Sequence, residues 1–147
     1  KVLEVNYVKG FAMIIKTSEA INNLFDENIF LYLEEIDLCK RLKKKNGRII
    51  LIDIPVKHLG GFSHGSRDDI EMEKSRNWHW MWSKFYFNKK HYGFFQAFIY
   101  ILPSLLSSIL KILIFAILLN NKKRKIYQYR FFGILNSIIG KSSWYRI

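Results

Sequence analysis

Along this chain the spacing of apolar residues changes several times, and each change predicts an element. Val2-Leu-Glu-Val-Asn-Tyr-Val8 alternates as a strand does, and Ala12–Ile15 predicts a second strand after Lys9-Gly10. Thr17 or Ser18 can cap a short helix over Glu19–Leu24. Beyond an aromatic-rich loop, Phe25–Tyr32, a helix is predicted over Glu34–Lys45. Its acids (Glu34, Glu35, Asp37) crowd the first turn and its bases (Lys43, Lys44, Lys45) the last, as the helix dipole favours. Asn46-Gly47 supplies a left-handed stop. Arg48–Ile54 reads as a short β-branched strand ended by Pro55.

A second helix is predicted over Asp68–Tyr92, after the glycine-rich loop Gly60–Arg67, with Ser66 as cap and Gly93 as terminator. Phe94–Leu119 then runs for 26 residues with one charge, Lys111, and one proline, Pro103, where the helix should bend or break. Its polar members, Gln96, Tyr100, Ser104, Ser107, Ser108 and Lys111, fall on one narrow helical stripe. A single helix of that length would measure roughly 39 Å at ~1.5 Å per residue, more than the ~30 Å core of a bilayer. Length permits a span. The stripe, the proline and the basic residues at both ends (Lys84, Lys89 and Lys90; Lys122–Lys125) suit a helix lying in the interface better, and a buried helix of a soluble protein is the third option. Trp78, Trp80, Trp82, Tyr86 and Tyr92 stand where an interfacial aromatic belt would be.

Charge sharpens this picture. All twelve acidic residues lie between Glu4 and Glu73, against eleven basic ones up to that point; from Lys74 onward there are thirteen basic residues and no acid. Such a tail needs an anionic partner, either nucleic acid or the negative face of a membrane. The 147 residues suffice for one domain with a core. The chain opens on Lys1 and runs directly into a strand-like stretch, so it reads as a piece of a longer protein, with no secretory leader visible. A lone cysteine, Cys39, excludes an internal disulfide and is core by default.

The densest chemistry is Glu34-Glu35-Ile36-Asp37-Leu38-Cys39-Lys40-Arg41. Adjacent carboxylates at a helix start are a candidate general base, one raising the other's pKa while the dipole opposes it. The plain alternative is dipole-complementing acids with an Asp37–Arg41 pair one turn apart. Gly61-Phe-Ser63-His-Gly65 fits the nucleophile-elbow pattern, yet no buried strand leads into it and its candidate partners crowd within a few turns. His64, His79 and His91 show no ligand spacing.

Five segments in order carry a family resemblance: Gly10-Phe-Ala-Met13, Asp26-Glu27-Asn-Ile-Phe30-Leu-Tyr32, Glu34-Glu35-Ile-Asp37-Leu38-Cys39-Lys-Arg41, Asn46-Gly47-Arg-Ile-Ile50 and His58-Leu-Gly-Gly61-Phe-Ser63. Together they resemble the C-terminal half of inverting family-2 glycosyltransferases, especially the rhamnosyltransferase-like branch. The resemblance implies an α/β fold, the C-terminal half of a GT-A domain followed by amphipathic, membrane-associated helices. Residues 1–67 would be the acceptor and catalytic-base side, 68–93 a long aromatic-rich helix and 94–147 a membrane-associated tail. Glu35 stands where the family has an aspartate base, with Glu34 and Asp37 as the other candidates. His58 aligns with a histidine that helps hold a divalent metal (Mg or Mn) on the donor diphosphate. Gly10, Met13, Tyr32, Arg41, Gly61 and Ser63 would lie on the substrate and acceptor side.

The family's nucleotide-binding half, with its Asp-x-Asp motif, has no counterpart in this sequence, so metal and nucleotide would bind only with that half and this chain alone would be inactive. The implied partners are a nucleotide-sugar donor, a glycan or lipid-linked acceptor and an anionic membrane surface, with the enzyme peripheral or monotopic on the cytoplasmic face. A non-enzymatic basic membrane-surface module is the alternative. A nucleic-acid binder is disfavoured, because Phe94–Leu119 is too apolar for one.

Overall fold

The computed structural model describes residues 2–16, 24–57 and 70–146. In chain order they form β1 (Val2–Glu4), α1 (Glu34–Lys44), β2 (Ile50–Ile52), α2 (Ile70–Tyr92), α3 (Phe94–Ile117) and α4 (Asn121–Ile138). The chain divides into two compact units: residues 1–29 with 33–65, and residues 30–32 with 66–147.

In the first unit β1 and β2 pair antiparallel, Val2 opposite Ile52 and Glu4 opposite Ile50, with Val5 N–H donating to the Ile49 carbonyl. Arg48 and Glu4 form an exposed ion pair beside them. The helix α1 starts directly after Leu33, a residue in the left-handed region (φ 70°), without a side-chain cap. It buries Leu38 and Cys39, and Lys43 Nζ reaches Asn6 Oδ1 at 2.8 Å. Its C-terminus closes as a Schellman motif: Gly47 N–H donates to Leu42 and Asn46 N–H to Lys43, with Asn46 at φ 62°. Only glycine fits at 47, since a Cβ there would stand 2.9 Å from the Leu42 carbonyl oxygen.

The second unit is a bundle of α2, α3 and α4. Gly93, at φ 89°, turns the chain from α2 into α3 with a single linking residue, a conformation side chains resist. Leu118–Asn120 turn α3 into α4, and the Asn120 side chain caps α4 by accepting from Lys123 N–H. The core comprises Met81, Phe85, Ala97, Ile101 and Ile134, flanked by Phe98, Leu105 and Ile138. Three polar ties lock the helices and the C-terminal segment together. Ser137 donates to the Trp82 carbonyl, Trp82 Nε1 to the Lys141 carbonyl, and Ser83 to the Leu31 carbonyl.

Several expectations are corrected. An α/β half of a GT-A domain is not what forms: the described residues make four helices and one two-stranded antiparallel sheet, and helix predominates. The expected strands Val2–Val8 and Arg48–Ile54 shrink to three residues each, and Ala12–Ile15 is no strand. A strand needs a partner for its N–H and C=O groups; Ile14 is instead fully exposed and the stretch pairs with no strand among the described residues. The expected aromatic belt is partly core, with Trp78 and Trp82 buried and Trp80 exposed. The helix α3 runs unbroken through Pro103. The expected helix Glu19–Leu24, the caps Thr17, Ser18 and Ser66, and the Gly61–Gly65 loop lie wholly or almost wholly outside the described residues.

The orientation of α3 inverts the usual amphipathic arrangement. Part of its polar stripe turns inward: Lys84 of α2 donates to Ser104, Ser108 is buried and Lys111 donates to Tyr127 of α4, while Gln96, Tyr100 and Ser107 stay exposed. The outward side is apolar. Phe95, Ile99, Leu106, Leu110, Leu113 and Ile117 are all more than half exposed, Ile117 at 81%. This helix is long and apolar enough to cross or associate with a membrane.

Candidate functional site

The site builds up from the start of α1. Placing Glu34 and Glu35 in the first turn, directly after the left-handed Leu33, sets both carboxylates half-buried at the positive end of the helix. Gly10 lies against Glu35; a Cβ added there would touch the Glu35 Cβ at 3.4 Å, so the backbone approaches the acid closely. Lys9, Gly10, Phe11, Phe25, Glu34 and Glu35 line an open cavity of about 340 Å³. That is near the lower end of small-molecule sites, which run from ~300 to ~1,000 Å³.

The electrostatics single out the two acids. Oε2 of Glu34 and Oε2 of Glu35 are each shut off from solvent with no hydrogen-bond partner among the described residues. Burial raises the Glu34 pKa, the charge of Glu35 raises it further, and a backbone hydrogen bond opposes them. An acid in that state can accept a proton from a hydroxyl brought into the cavity, and Phe11 and Phe25 give apolar surface for the flat face of a ring.

The structure brings together three of the expected residues, Glu34, Glu35 and Gly10. Asp37 is elsewhere: it is fully buried and bonded at 2.7 Å to Arg41, whose second arm reaches the Leu24 carbonyl at 2.6 Å. Both act within the packing of α1. Met13 is half-buried and outside the cavity lining. Tyr32 belongs to the helical unit, its ring edge-on to Trp80 at 5.4 Å. His58, Gly61 and Ser63 lie outside the described residues. Among the described residues no three His, Cys, Asp or Glu side chains converge as metal ligands, so these residues alone do not make a metal site. Lys9, Phe11 and Phe25 escaped the sequence reading, although Lys9 and Phe11 flank the motif glycine.

His79 carries a separate construction. It is fully buried, with Nε2 2.8 Å from the Tyr145 carbonyl and Nδ1 2.9 Å from Ser143 Oγ. A carbonyl only accepts, so Nε2 bears the proton, and neutral Nδ1 accepts from the serine hydroxyl. Burial lowers the His79 pKa, the Tyr145 bond opposes that, and the Arg146 charge lowers it further. Here the histidine clasps the C-terminal segment. The chain matches no protein-family model, no characterised protein and no solved structure.

Proposed function

We propose that this chain carries the base-bearing, acceptor-side part of an inverting, sugar-nucleotide-dependent glycosyltransferase that works at the cytoplasmic face of a membrane. The observation that carries the reading is the Glu34–Glu35 pair: two carboxylates with unpartnered buried oxygens beside Gly10 in an open cavity. These residues come from two of the five motif segments that resemble the family. In the proposed reaction Glu35 takes the proton from an acceptor hydroxyl as that oxygen attacks the anomeric carbon of the donor sugar, possible donors including rhamnose. Glu34, with its raised pKa, sits beside it and tunes that proton transfer. The nucleotide and the divalent metal on its diphosphate would be held with a nucleotide-binding half.

Membrane association has its own support. The helix α3 packs along α2 and α4, whose exposed Arg76, Lys89, Lys90, Lys122, Lys123 and Lys125 make them too polar to enter a bilayer. That favours α3 lying in the interface, apolar side down, with the other two helices toward water. Cations mark both ends of α3, Lys89 over Phe94 and Lys123 over Phe115. The same observations also favour the second reading, a non-enzymatic membrane-surface module.

Transfer assays on the full-length protein separate the two. Glu35→Gln should lower turnover by ~10²–10⁴-fold, as loss of a general base does, and leave nucleotide-sugar binding intact. Wild-type turnover in both Glu34→Gln and Glu35→Gln would sink the reading; a full-length protein that binds no nucleotide sugar would favour the module.

A further inference from the structure

The geometry points to a binding site for a phosphate-type lipid headgroup in the seam between α2, α3 and α4, lined by Asn77, Lys84, Ser104, Lys111, Tyr127 and Arg130. These residues come from three helices and form two contact groups, Lys84 with Ser104 and Asn77 with Arg130, Tyr127 and Lys111, with the charge of Arg130 felt at Lys84. Lys84 Nζ lies 3.3 Å from Ser104 Oγ, Lys111 Nζ 3.2 Å from the Tyr127 hydroxyl, and Arg130 donates to Asn77 at 2.9 Å. The Arg130 guanidinium stands 5.8 Å from the centre of the Tyr127 ring and Lys111 Nζ 4.9 Å from it. One tyrosine therefore ties two cations together.

Among the described residues no carboxylate is paired with the cations of this seam. No acid follows Glu73 in the sequence, and among the described residues Lys84, Lys111, Arg124 and Arg130 show no ion pair. Nε of Arg130, and that of Arg124 on the same helix, are shut off from solvent with no partner among the described residues. Burial lowers the pKa of Lys84, and the neighbouring Arg130 charge lowers it again; burial also lowers that of Arg130. Partly buried cations held near one another without a counter-charge are costly for a protein. An anion with several oxygens would satisfy them: guanidinium binds phosphate in two-point fashion, ammonium groups add charge, and hydroxyls complete the shell.

The choice of a lipid as the source rests on α3. Its inner side forms the seam and its outer side is the exposed apolar surface. An in-plane helix sinks ~5–10 Å into the boundary and is ~10 Å across. The seam therefore comes level with headgroup phosphates while Leu102, Leu106 and their neighbours meet the acyl chains. A soluble phosphate ester would engage the same cations but make no use of that surface. The site does not depend on glycosyl transfer, so Glu35→Gln should leave it unchanged.

The test is vesicle binding by the full chain, comparing phosphatidylcholine mixed with phosphatidic acid against phosphatidylglycerol at equal surface charge. The wild type should prefer the phosphomonoester, and Lys84→Gln or Arg130→Gln should erase the preference, about a tenfold loss for one charge-assisted bond. Removing the exposed cations instead (Lys122→Gln with Lys123→Gln and Lys125→Gln) should weaken both vesicle types alike and keep the preference. Lys111→Gln, at a half-exposed position, is the second variant should Arg130→Gln fail to fold by circular dichroism. Equal binding to both lipids by the wild type overturns the proposal, as does a preference that survives the seam substitutions. If pyrophosphate stabilises the wild type against heat while no lipid preference exists, the lipid assignment is overturned in favour of a soluble phosphate ester.

Discussion

Gly133 of α4 lies so close to Trp78 of α2 that a Cβ on it would stand 2.3 Å from the Trp78 carbonyl oxygen. The obstacle is backbone, which cannot swing aside as a side chain can. Gly133→Ala should therefore push the two helices apart. The expected loss is about 1–3 kcal/mol, the usual cost of overpacking, read as a lower midpoint of thermal unfolding. An unchanged midpoint would mean that α2 and α4 are not so closely seated.

Asn46 tests the end of α1. With φ at 62° it occupies the conformation that asparagine tolerates and glycine prefers. Asn46→Ala should cost about 1 kcal/mol, whereas Asn46→Gly should be close to neutral. Equal destabilisation by both would point to a role for the side chain rather than the backbone.

His79 sets a pH dependence whose sign follows from its environment. Its folded pKa lies below the ordinary value of about 6.5, so the unfolded chain takes up the proton first as pH falls. The stability it contributes is whole above that value and declines as pH drops toward the depressed folded pKa. The charge of Arg146 disfavours the imidazolium, and Phe30, Trp78 and Tyr145 pack around the ring. Urea midpoints measured across this range should fall for the wild type. They should fall less for His79→Gln, which removes the titrating ring. Parallel curves would show that His79 is not the titrating group.

The outward side of α3 invites a direct substitution. Leu106→Glu with Leu113→Glu places charges where exposed leucines stand, on the side away from the seam. Each leucine buried in lipid is worth roughly 1.5–3 kcal/mol, so vesicle binding should drop by at least two orders of magnitude while helix content stays the same. Binding at the wild-type level would assign the apolar surface to a protein contact instead.

How much of this was legible depended on whether a feature is local. The ends of α1 could be read from Glu34, Glu35, Asn46 and Gly47, because dipole and cap act within a turn. Gly93 likewise marked the junction of α2 and α3. Strands were another matter: the alternation over Val2–Val8 was real, yet pairing stops at Glu4 because only β2 lies alongside. Periodicity located the stripe of α3 but could not tell which side meets protein, since Lys84 and Tyr127 come from other helices. In the cavity, motif order found Gly10 and Glu35, whereas Phe25 is distant from both in sequence and only folding puts it there. The tryptophans misled for the same reason, as Trp78 and Trp82 are buried by α4 and the C-terminal segment, which are distant in sequence.

The single-residue turn at Gly93 and the short turn before Asn121 leave the three helices little freedom to slide. Fastened at both ends by Lys89 and Lys123, a helix about 36 Å long would resist pitching on a surface. Rolling would be opposed as well, since any large roll would drive the charged shoulders of α2 or α4 into hydrocarbon. If α3 lies in the plane of a bilayer as proposed, a body moored in this way would keep one heading relative to the bilayer normal while remaining free to drift sideways. Its encounters with lipids would thereby be reduced from a search in three dimensions to one in two.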